Sequence, residues 1–206
     1  MKKNSLDVFP PGSIIGIMGG GQLGRMTALA AANLGYRCHI FTEETDSPAA
    51  QVSATTTVAS YKDQEALTQF AKAVDLITYE FENIPLSSIT LLNNIQVMRP
   101  SPTILAISQH RGKEKEFAVQ HGVNVAPYKI IKKISDLESA IKAIGTPSVL
   151  KTCRFGYDGK GQIVINEPTE IHSAWNQLSS DDLVLEQFIA FEKEISIVVA
   201  LSLIHI

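Results

Sequence analysis

Cysteine is scarce in this chain, because Cys38 and Cys153 are the only two among 206 residues. Two cysteines cannot provide a disulfide framework at this length, which favours a reducing compartment and predicts a cytoplasmic protein. The five histidines are scattered along the chain, at His39, His110, His121, His172 and His205. None of them stands at a metal-ligand spacing from a cysteine. The sequence therefore predicts no metal site among its own residues.

Excess charge and long apolar runs are missing as well. The net charge is -3 and the isoelectric point is near 6.0, unlike the basic balance of a nucleic-acid-binding protein. The most apolar segment, Ile195–Ile206, is too short to span a bilayer, and no signal-peptide apolar region follows the amino terminus. We therefore expect neither nucleic acid nor a membrane as a partner. Apolar residues still make up 45% of the chain, enough to bury a core.

Strand and helix signals alternate through the first hundred residues. Short apolar or β-branched runs predict strands, and the amphipathic stretches between them predict helices, one of them capped by Asp63. The predicted strands are Ser13–Met18, Arg37–Phe41, Thr55–Val58, Leu76–Tyr79 and Gln96–Met98, and the predicted helices are Leu23–Leu34 and Asp63–Val74. This alternation indicates a Rossmann-like α/β domain with a parallel sheet, over residues 1–100.

The prolines of Arg99–Pro102 interrupt this pattern and predict a domain boundary. Residues 101–206 then form a second, α+β domain, in which residues from about 126 to 187 make up a lid subdomain. Its predicted helices are Thr103–Ser108, Lys113–His121, a helix opened by a capping box at Ser135–Glu138 and ending at Ile144, and Thr169–Leu178. Its predicted strands are Tyr128–Ile131, Ser148–Thr152, Gln162–Ile165, Leu183–Glu186 and Glu194–Leu201.

The first glycine-rich motif, Gly19–Gly24, matches G-x-G-x-x-G between a strand and a helix. That context is typical of dinucleotide binding, and Glu43 after the second strand could then serve as the ribose-binding acid. The motif alone indicates only a ligand, typically a phosphorylated one, at the amino terminus of the helix near Leu23. A tight turn that packs the helix on the strand remains the simple alternative.

A second motif, Thr78–Pro85, follows the fourth strand of the parallel sheet. In a doubly wound sheet this strand end lies beside the end of the first strand, where ligands bind. We therefore expect Glu80 to face Gln22 and Leu23 across one crevice. The alternative is that Glu80 and Glu82 only cap the next helix and meet solvent.

The third motif is a glycine-rich loop at Gly156–Gln162, preceded by Lys151. Glycines allow backbone N–H groups to approach phosphate oxygens, and Lys151 and Lys160 add positive charge. Flanking strands predict a hairpin lid over a nucleoside triphosphate, which differs from the strand-loop-helix context of a Walker loop. An ordinary glycine-rich turn would leave this combination of residues unexplained.

The fourth motif is the strand exit Glu186–Ile189, with Glu194 a few residues beyond it. The backbone of such an exit can hydrogen-bond adenine, and a following carboxylate can accept hydrogen bonds from ribose hydroxyls. Taken alone, the segment is equally typical of a β-hairpin with exposed acids.

In this order the motifs resemble the N5-carboxyaminoimidazole ribonucleotide synthases, ATP-grasp enzymes of bacterial purine biosynthesis. The resemblance extends from about Gly12 to Ala200 and implies an amino-terminal substrate domain followed by the first part of an ATP-grasp domain. The segments that carry it are Gly19–Met26 (GGGQLGRM), Thr78–Pro85 (TYEFENIP), Gln109–Phe117 (QHRGKEKEF), Leu150–Gln162 (LKTCRFGYDGKGQ) and Leu185–Ala200 (LEQFIAFEKEISIVVA).

The resemblance implies a role for each matching residue. The implied ATP contacts are Arg111, Lys151, Gly156, Tyr157, Asp158, Gly159, Lys160, Gly161, Gln162, Glu186, Gln187, Phe188, Ile189 and Glu194. Among them, Tyr157, Asp158 and Lys160 would also lie near the bicarbonate and amine chemistry. The implied contacts to aminoimidazole ribonucleotide are Gln22, Leu23 and Glu80.

The chain also departs from the family pattern. His110 stands where the family usually has Asp, Gly112 where it has an apolar residue, and Cys153 and Phe155 where Arg and Gly are common. After Ala200 the family continues into a long second half that carries the Mg²⁺-binding acids, whereas this chain ends at Ile206. We therefore expect a truncated copy, and the sequence leaves open whether the last six residues, Leu201–Ile206, are native to the gene. The family also implies a homodimer for the full-length protein.

The implied reaction joins ATP, bicarbonate and 5-aminoimidazole ribonucleotide to give N5-carboxyaminoimidazole ribonucleotide, ADP and phosphate. Two alternatives remain at the level of the sequence. One is an NAD(P)-dependent oxidoreductase that uses Gly19–Gly24, and the other is an inactive fragment. We expect little or no activity from the 206 residues alone.

Overall fold

The structure, a computed structural model, describes residues 8–156, 160–197 and Val199. The chain forms two compact units, one ending at Gly122 and the other beginning at Val123. The mixed α/β class with a parallel sheet first and an antiparallel sheet second is the fold predicted from the sequence. Among the described residues, no helix combines the length and the apolar character needed to cross a membrane.

The first unit is built on a four-stranded parallel sheet in the order β3-β2-β1-β4. Its strands are β1 (Ile14–Met18), β2 (Arg37–Thr42), β3 (Thr55–Val58) and β4 (Leu76–Tyr79). Its helices are α1 (Gln22–Asn33), α2 (Gln64–Lys72), α3 (Leu86–Ile95), α4 (Pro102–Ser108) and α5 (Arg111–Gln120). The chain order crosses from β3 back to β4 beside β1, which creates the switch point where α/β sheets bind ligands.

Close packing of α2 on the sheet requires a glycine in β1. A Cβ on Gly16 would lie 2.7 Å from the ring of Phe70, a fully buried residue of α2. The predicted cap is confirmed, since the Asp63 carboxylate accepts hydrogen bonds from the amides of Glu65 and Ala66, both at 3.0 Å. These contacts fix α2 against the strands that carry the switch point.

Two elements of the first unit differ from the prediction. The fifth strand at Gln96–Met98 is reduced to a single bridge between Ile77 and Met98, because Pro100, two residues after Met98, lacks the N–H that a longer ladder needs. Helix α3 was not predicted, since its sequence contains two serines, a threonine and two asparagines, residues that favour caps and turns over helix interiors.

The compact units also divide later than the predicted boundary at residue 100. Leu105 of α4 is fully buried in the core cluster that includes Phe41 and Ile89, so α4 belongs to the first unit by packing. The prolines near residue 100 therefore mark a turn inside this unit. The division into a substrate domain and an ATP-grasp domain stays a prediction.

The second unit contains a four-stranded antiparallel sheet in the order β5-β8-β6-β7. Its strands are β5 (Tyr128–Ile131), β6 (Ser148–Thr152), β7 (Gln162–Ile165) and β8 (Leu183–Gln187), and its helices are α6 (Ile134–Ile144) and α7 (Ile171–Leu178). Leu137 and Ile141 of α6 and Ala174 of α7 pack with Leu150 and Leu185 of the sheet. This core supports the hairpin of β6 and β7.

Three local predictions in the second unit were wrong. The cap of α6 is Lys133 and not Ser135, because the Asp136 carboxylate accepts from the amides of Lys132 and Lys133 and starts the helix earlier. The predicted helix at Thr169 begins as a 3₁₀ turn, Pro168–Glu170. Residues 193–197 form neither helix nor strand, contrary to the predicted strand at Glu194–Leu201; Val198 and the residues from Ala200 onward lie outside the described chain.

Candidate functional sites

The carboxyl end of β4 brings Glu80 to the glycine loop of the first unit. Strands β1 and β4 pair in register, with Met18 opposite Tyr79. The amides of Glu80 and Phe81 both donate to the carbonyl oxygen of Met18, at 2.9 and 3.2 Å. Glu80 therefore sits at the point where β1 passes into the loop, as the doubly wound topology predicts.

The loop between β1 and α1 has no room for side chains. Gly19 has a φ of +124°, and a Cβ placed on it would lie 2.8 Å from the amide nitrogen of Phe81. A Cβ on Gly21 would lie 2.9 Å from Oε1 of Glu80. The glycines of this motif thus allow a carboxylate of the protein to approach the backbone.

Glu80 occupies the amino terminus of α1. Its carboxylate lies against Gly21, the residue that caps this helix, as the 2.9 Å between Oε1 and a Cβ placed on Gly21 indicates. Burial raises the pKa of Glu80 above its usual value, and the Gly21 N–H partly offsets that rise. In a dinucleotide-binding domain this helix terminus holds the pyrophosphate. Here the position belongs to an acid of the chain itself, which disfavours the NAD(P) alternative.

A cavity of about 230 Å³ opens beside Glu80. Burial raises the pKa of the Tyr61 phenol, and the carboxylates of Glu43, Glu80 and Glu44 raise it further. The ring of Tyr61 stacks on that of Phe81 with 5.5 Å between centroids. The residues that line the cavity are Gly20, Gly21, Thr42, Glu43, Glu44, Tyr61, Glu80 and Phe81.

The sequence-predicted substrate residues are only partly brought together. Glu80 lines the cavity, whereas Gln22 and Leu23 are not among its lining residues, and the Leu23 side chain is 62% exposed. The sequence analysis missed Tyr61 and Thr42. Thr42 could have been predicted, because it ends a strand next to β1. Tyr61 could not, because it lies in a loop and no local sequence pattern shows that this loop reaches the cavity.

In the second unit, Lys151 and Glu186 form an ion pair of 3.0 Å between Nζ and Oε2. The two residues lie diagonally on adjacent antiparallel strands, since Lys151 of β6 pairs with Val184 and Val149 pairs with Glu186 of β8. Glu186 is buried and Lys151 is half-buried. Sequence reasoning placed both residues in the nucleotide site but did not predict that they pair, because register is not visible locally.

The glycine loop that follows β6 is described at its two ends. The amide of Thr152 donates to the carbonyl oxygen of Gly161 at 2.8 Å, and Gly161 has a φ of +69°. Gln162 pairs with Lys151 across the hairpin, and Lys160 is exposed. Gly156 is half-buried. The predicted residues Tyr157, Asp158 and Gly159 lie outside the described chain.

The predicted adenine-binding segment continues β8. The amide of Gln187 donates to the carbonyl oxygen of Pro127 at 2.9 Å, and that of Phe188 to Pro147 at 3.3 Å. Phe188 and Ile189 are exposed, and Glu194 is exposed in a stretch without helix or strand. The strand end is therefore fixed at Gln187 and Phe188, while the residues beyond it present their side chains to solvent.

Arg111 is the first residue of α5 and is half-buried. The residue before it, His110, caps the helix, because its Nδ1 accepts from the amides of Gly112 and Lys113 at 3.1 and 3.3 Å. An aspartate at this position would cap the helix in the same manner. The departure from the family pattern at His110 thus keeps the start of α5 intact.

Comparisons with known proteins agree with this architecture. Residues 13–109 match the model of the ribonucleotide synthetase preATP-grasp domain, and residues 116–203 match that of the ATP-grasp domain. An N5-carboxyaminoimidazole ribonucleotide synthase of Brucella melitensis is 43% identical over 202 residues, which cover 97% of this chain and 55% of that protein. The chain belongs to the N5-carboxyaminoimidazole ribonucleotide synthase family.

Solved structures of the family superimpose well on the chain. An ADP complex of an N5-carboxyaminoimidazole ribonucleotide synthetase is 38% identical, with a TM-score of 0.86 over 91% of this chain and 50% of that one. An Aspergillus clavatus enzyme, in complex with ADP and 5-aminoimidazole ribonucleotide, is 26% identical, with a TM-score of 0.80 over 88% and 48% of the two chains. The chain spans about half the length of these relatives.

Proposed function

We propose that the chain is the amino-terminal part of an ATP-dependent ligase that carboxylates 5-aminoimidazole ribonucleotide with bicarbonate. The products would be N5-carboxyaminoimidazole ribonucleotide, ADP and phosphate, in purine biosynthesis. The observation that carries the proposal is the ion pair of Lys151 and Glu186 at the base of a glycine-rich hairpin. The relatives with the same architecture include structures with ADP, and one of these also holds the ribonucleotide.

The ion pair fits a nucleotide site because it offers a donor and an acceptor side by side. The Glu186 carboxylate can accept a hydrogen bond from the amino group of adenine. The Lys151 ammonium can then turn to the phosphates, where it neutralises negative charge. The backbone at Gln187–Ile189 would complete the adenine contacts, and Glu194 would bind the ribose hydroxyls.

The chemistry needs positioning and exclusion of water. Phosphorylation of bicarbonate by ATP creates carboxyphosphate, which has a leaving group that bicarbonate lacks. The substrate amine then attacks its carboxyl carbon with loss of phosphate, or attacks CO₂ that carboxyphosphate releases beside it. Lys160 and the amides of Gly156–Gln162 would hold the phosphates, with Tyr157 and Asp158 beside the amine. A closed lid protects an intermediate that hydrolyses readily.

Magnesium is expected in this reaction, where it would neutralise phosphate charge. Glu186 is the buried carboxylate of the nucleotide region, and its pairing with Lys151 makes it a poor metal ligand. The metal ligands would therefore come from the second half of the longer relatives. A cytoplasmic location and a homodimer of the full-length protein are part of the same proposal.

The proposal is tested by adding the half that the longer relatives have beyond the matched region. The second half of the Brucella relative would be fused to this chain, and ADP release would be measured with and without bicarbonate and 5-aminoimidazole ribonucleotide. ADP release that depends on both substrates, and that Lys151→Met abolishes in the fusion, would support the function. ADP release by the fusion that does not depend on the ribonucleotide would contradict the proposed function.

The chain alone is expected to be inactive. In the described part of the last segment, Ile195, Ile197 and Val199 are 74–80% exposed, so the described residues leave these alternating apolar side chains largely uncovered. The same ADP-release assay on the chain by itself measures this, and turnover at the rate of the fusion would overturn it.

A further inference from the structure

We propose that Asp182 is a positioning residue for the glycine loop that follows β6. The inference rests on the proposed function, in which this loop holds the phosphates of the nucleotide. Asp182 acts through two contacts, one from its side chain to Lys132 and one from its backbone to Cys153. Lys132 and Asp182, here called the stem clamp, hold the first residues of the loop against the sheet, in the orientation in which the loop binds a nucleotide.

The stem clamp lies where three strands of the antiparallel sheet end together. Leu183, the first residue of β8, pairs with the last residue of β5 and with the last residue of β6. Lys132, Cys153 and Asp182 are therefore each one residue beyond the paired strands. The chain thus leaves β6 and enters the glycine loop directly beside Asp182.

Asp182 joins the ends of β5 and β6 by hydrogen bonds. Its Oδ1 accepts from Nζ of Lys132 at 2.6 Å, and its carbonyl oxygen accepts from the amide of Cys153 at 2.8 Å. The pKa of Lys132 is raised, chiefly by the hydrogen bond to Asp182. The amide of Asp182 donates in turn to Oγ of Ser180 at 3.2 Å. One residue therefore connects β5 to the stem of the loop through both its side chain and its backbone.

The loop needs this support because its first turn is strained. Phe155, two residues after Cys153, has a φ of +60°, a left-handed conformation that bulky residues rarely adopt. Its side chain is 70% exposed, so packing around the ring does little to hold this conformation. Residues strained in this way persist where the surrounding structure fixes the backbone. The hydrogen bond between the Cys153 amide and Asp182 supplies such a fixed point just before the turn.

The stem clamp should affect nucleotide binding more than folding. The Lys132 side chain is 59% exposed and that of Asp182 is 30% exposed, and exposed ion pairs contribute little to stability. When the clamp is broken, the loop also samples orientations that cannot hold phosphate. The apparent affinity then falls in proportion to the fraction of molecules that keep the competent orientation. An exposed pair can account for a change of about fivefold.

The stem is tested directly by alkylation of Cys153 with iodoacetamide, followed by peptide mass spectrometry. Cys153 is 1% exposed, so it reacts when the stem opens, and Cys38 of the first unit, 4% exposed, is the internal control. We expect Lys132→Met and Asp182→Asn each to accelerate the alkylation of Cys153 about fivefold and to leave Cys38 unchanged. The two substitutions change the local charge in opposite directions, so a purely electrostatic effect on the thiol would accelerate one reaction and slow the other. That result, or unchanged rates, would overturn the inference.

Three further variants control this experiment. Lys132→Arg keeps a cation for the ion pair, and Lys129→Met removes an exposed lysine of the same strand, so both should alkylate Cys153 at the rate of the unaltered protein. Phe155→Gly relieves the strained turn. Asp182→Asn should therefore accelerate the alkylation of Cys153 less in the Phe155→Gly background than alone. Equal acceleration in both backgrounds would overturn the link between the strained turn and the stem clamp.

The effect on nucleotide binding is measured by ADP titration of the same variants with calorimetry. Lys132→Met, Asp182→Asn and the double variant should each weaken ADP binding by the same factor, about fivefold, because all three break one pair. An unchanged affinity in the single variants, or a loss that doubles in free energy in the double variant, would overturn the positioning role.

Failure of the unaltered protein to bind ADP would reject the proposed function, which separates that failure from failure of this inference. The alkylation rates then decide alone whether Asp182 holds the stem, because they need no nucleotide. Acceleration in both single variants would support the inference, and unchanged rates would overturn it as well.

Discussion

Glu80 and Glu186 are two glutamates withdrawn from solvent, yet they have opposite partners. Glu80 lies against the backbone of Gly21 and faces two further acids across a cavity, whereas Glu186 is paired with the ammonium of Lys151. A carboxylate without a cationic partner is suited to a ligand with hydrogen-bond donors. A carboxylate paired with an ammonium group is suited to a site that also binds phosphate. The two carboxylates therefore differ in their partners, and this difference separates the two proposed sites.

The two glycine-rich loops differ in the same sense. Gly19–Gly24 packs around an acid of the chain, while the loop from Gly156 begins five residues after a lysine. A glycine pattern by itself therefore does not identify a phosphate site, and the two loops differ in whether a basic side chain accompanies the glycines.

The largest effect is expected from Gly19→Ala. Gly19 has a positive φ and its Cβ would crowd the Phe81 amide, so the free energy of unfolding of the first unit should fall by about 3 kcal/mol. Hydrogen exchange of the β1 amides measures this. Gly12→Ala is the control, because Gly12 also has a positive φ but no atom within 4 Å of the added Cβ, and it should cost only about 1 kcal/mol. Equal losses of stability in the two variants would show that the segment of Glu80 and Phe81 does not lie against the Gly19 loop.

Removal of the Lys151 ammonium should have the next largest effect on stability. Lys151→Met leaves Glu186 buried without its cation, and the second unit should lose about 2 kcal/mol. Trp175, the single tryptophan, lies in α7, so its fluorescence in urea reports on this unit alone. Lys132→Met breaks the exposed pair with Asp182 and should cost less than about 1 kcal/mol. Similar losses in both variants would contradict the buried pair.

Neutralising the two glutamates should shift stability in opposite directions. The pKa of Glu80 is raised by burial, so its ionisation destabilises the first unit as the pH rises through the raised pKa. Glu80→Gln should therefore increase the thermal midpoint of the first unit at pH 7, and the gain should vanish below the usual glutamate pKa of 4.5. Glu186→Gln should lower the midpoint of the second unit. Thermal midpoints that shift in the same direction in both variants would contradict the difference between Glu80 and Glu186.

The smallest effect concerns His39, a buried residue of the first unit. Burial lowers its pKa below the usual 6.5, and Nε2 lies 2.8 Å from Oγ1 of Thr57. Because the unfolded chain binds the proton more readily, stability is complete above pH 6.5 and falls as the pH drops through the lowered pKa. His39→Gln should flatten this dependence below pH 6.5, as seen in β1 hydrogen exchange. The exposed His172 provides the control, and an unchanged profile in His39→Gln would refute the assignment.

The sequence predicts strands and loops well where local chemistry decides the outcome. The apolar run of β1 and the cap at Asp63 are both visible in the sequence, and both are confirmed. The cavity wall at Tyr61 and the pairing of Lys151 with Glu186 depend on tertiary placement and strand register, which local patterns do not encode. Helix α3 was missed because packing of Ile89 and Leu92 outweighs its weak helix propensity.

The most direct test is an ADP titration of the Lys151→Met and Glu80→Gln variants beside the unaltered chain. The account predicts that Lys151→Met weakens ADP binding by about 30-fold or more, since a charge-assisted contact to phosphate is lost, while Glu80→Gln leaves the ADP affinity within about twofold. A loss of ADP binding in Glu80→Gln with little change in Lys151→Met would place the nucleotide on the first glycine loop and contradict the account.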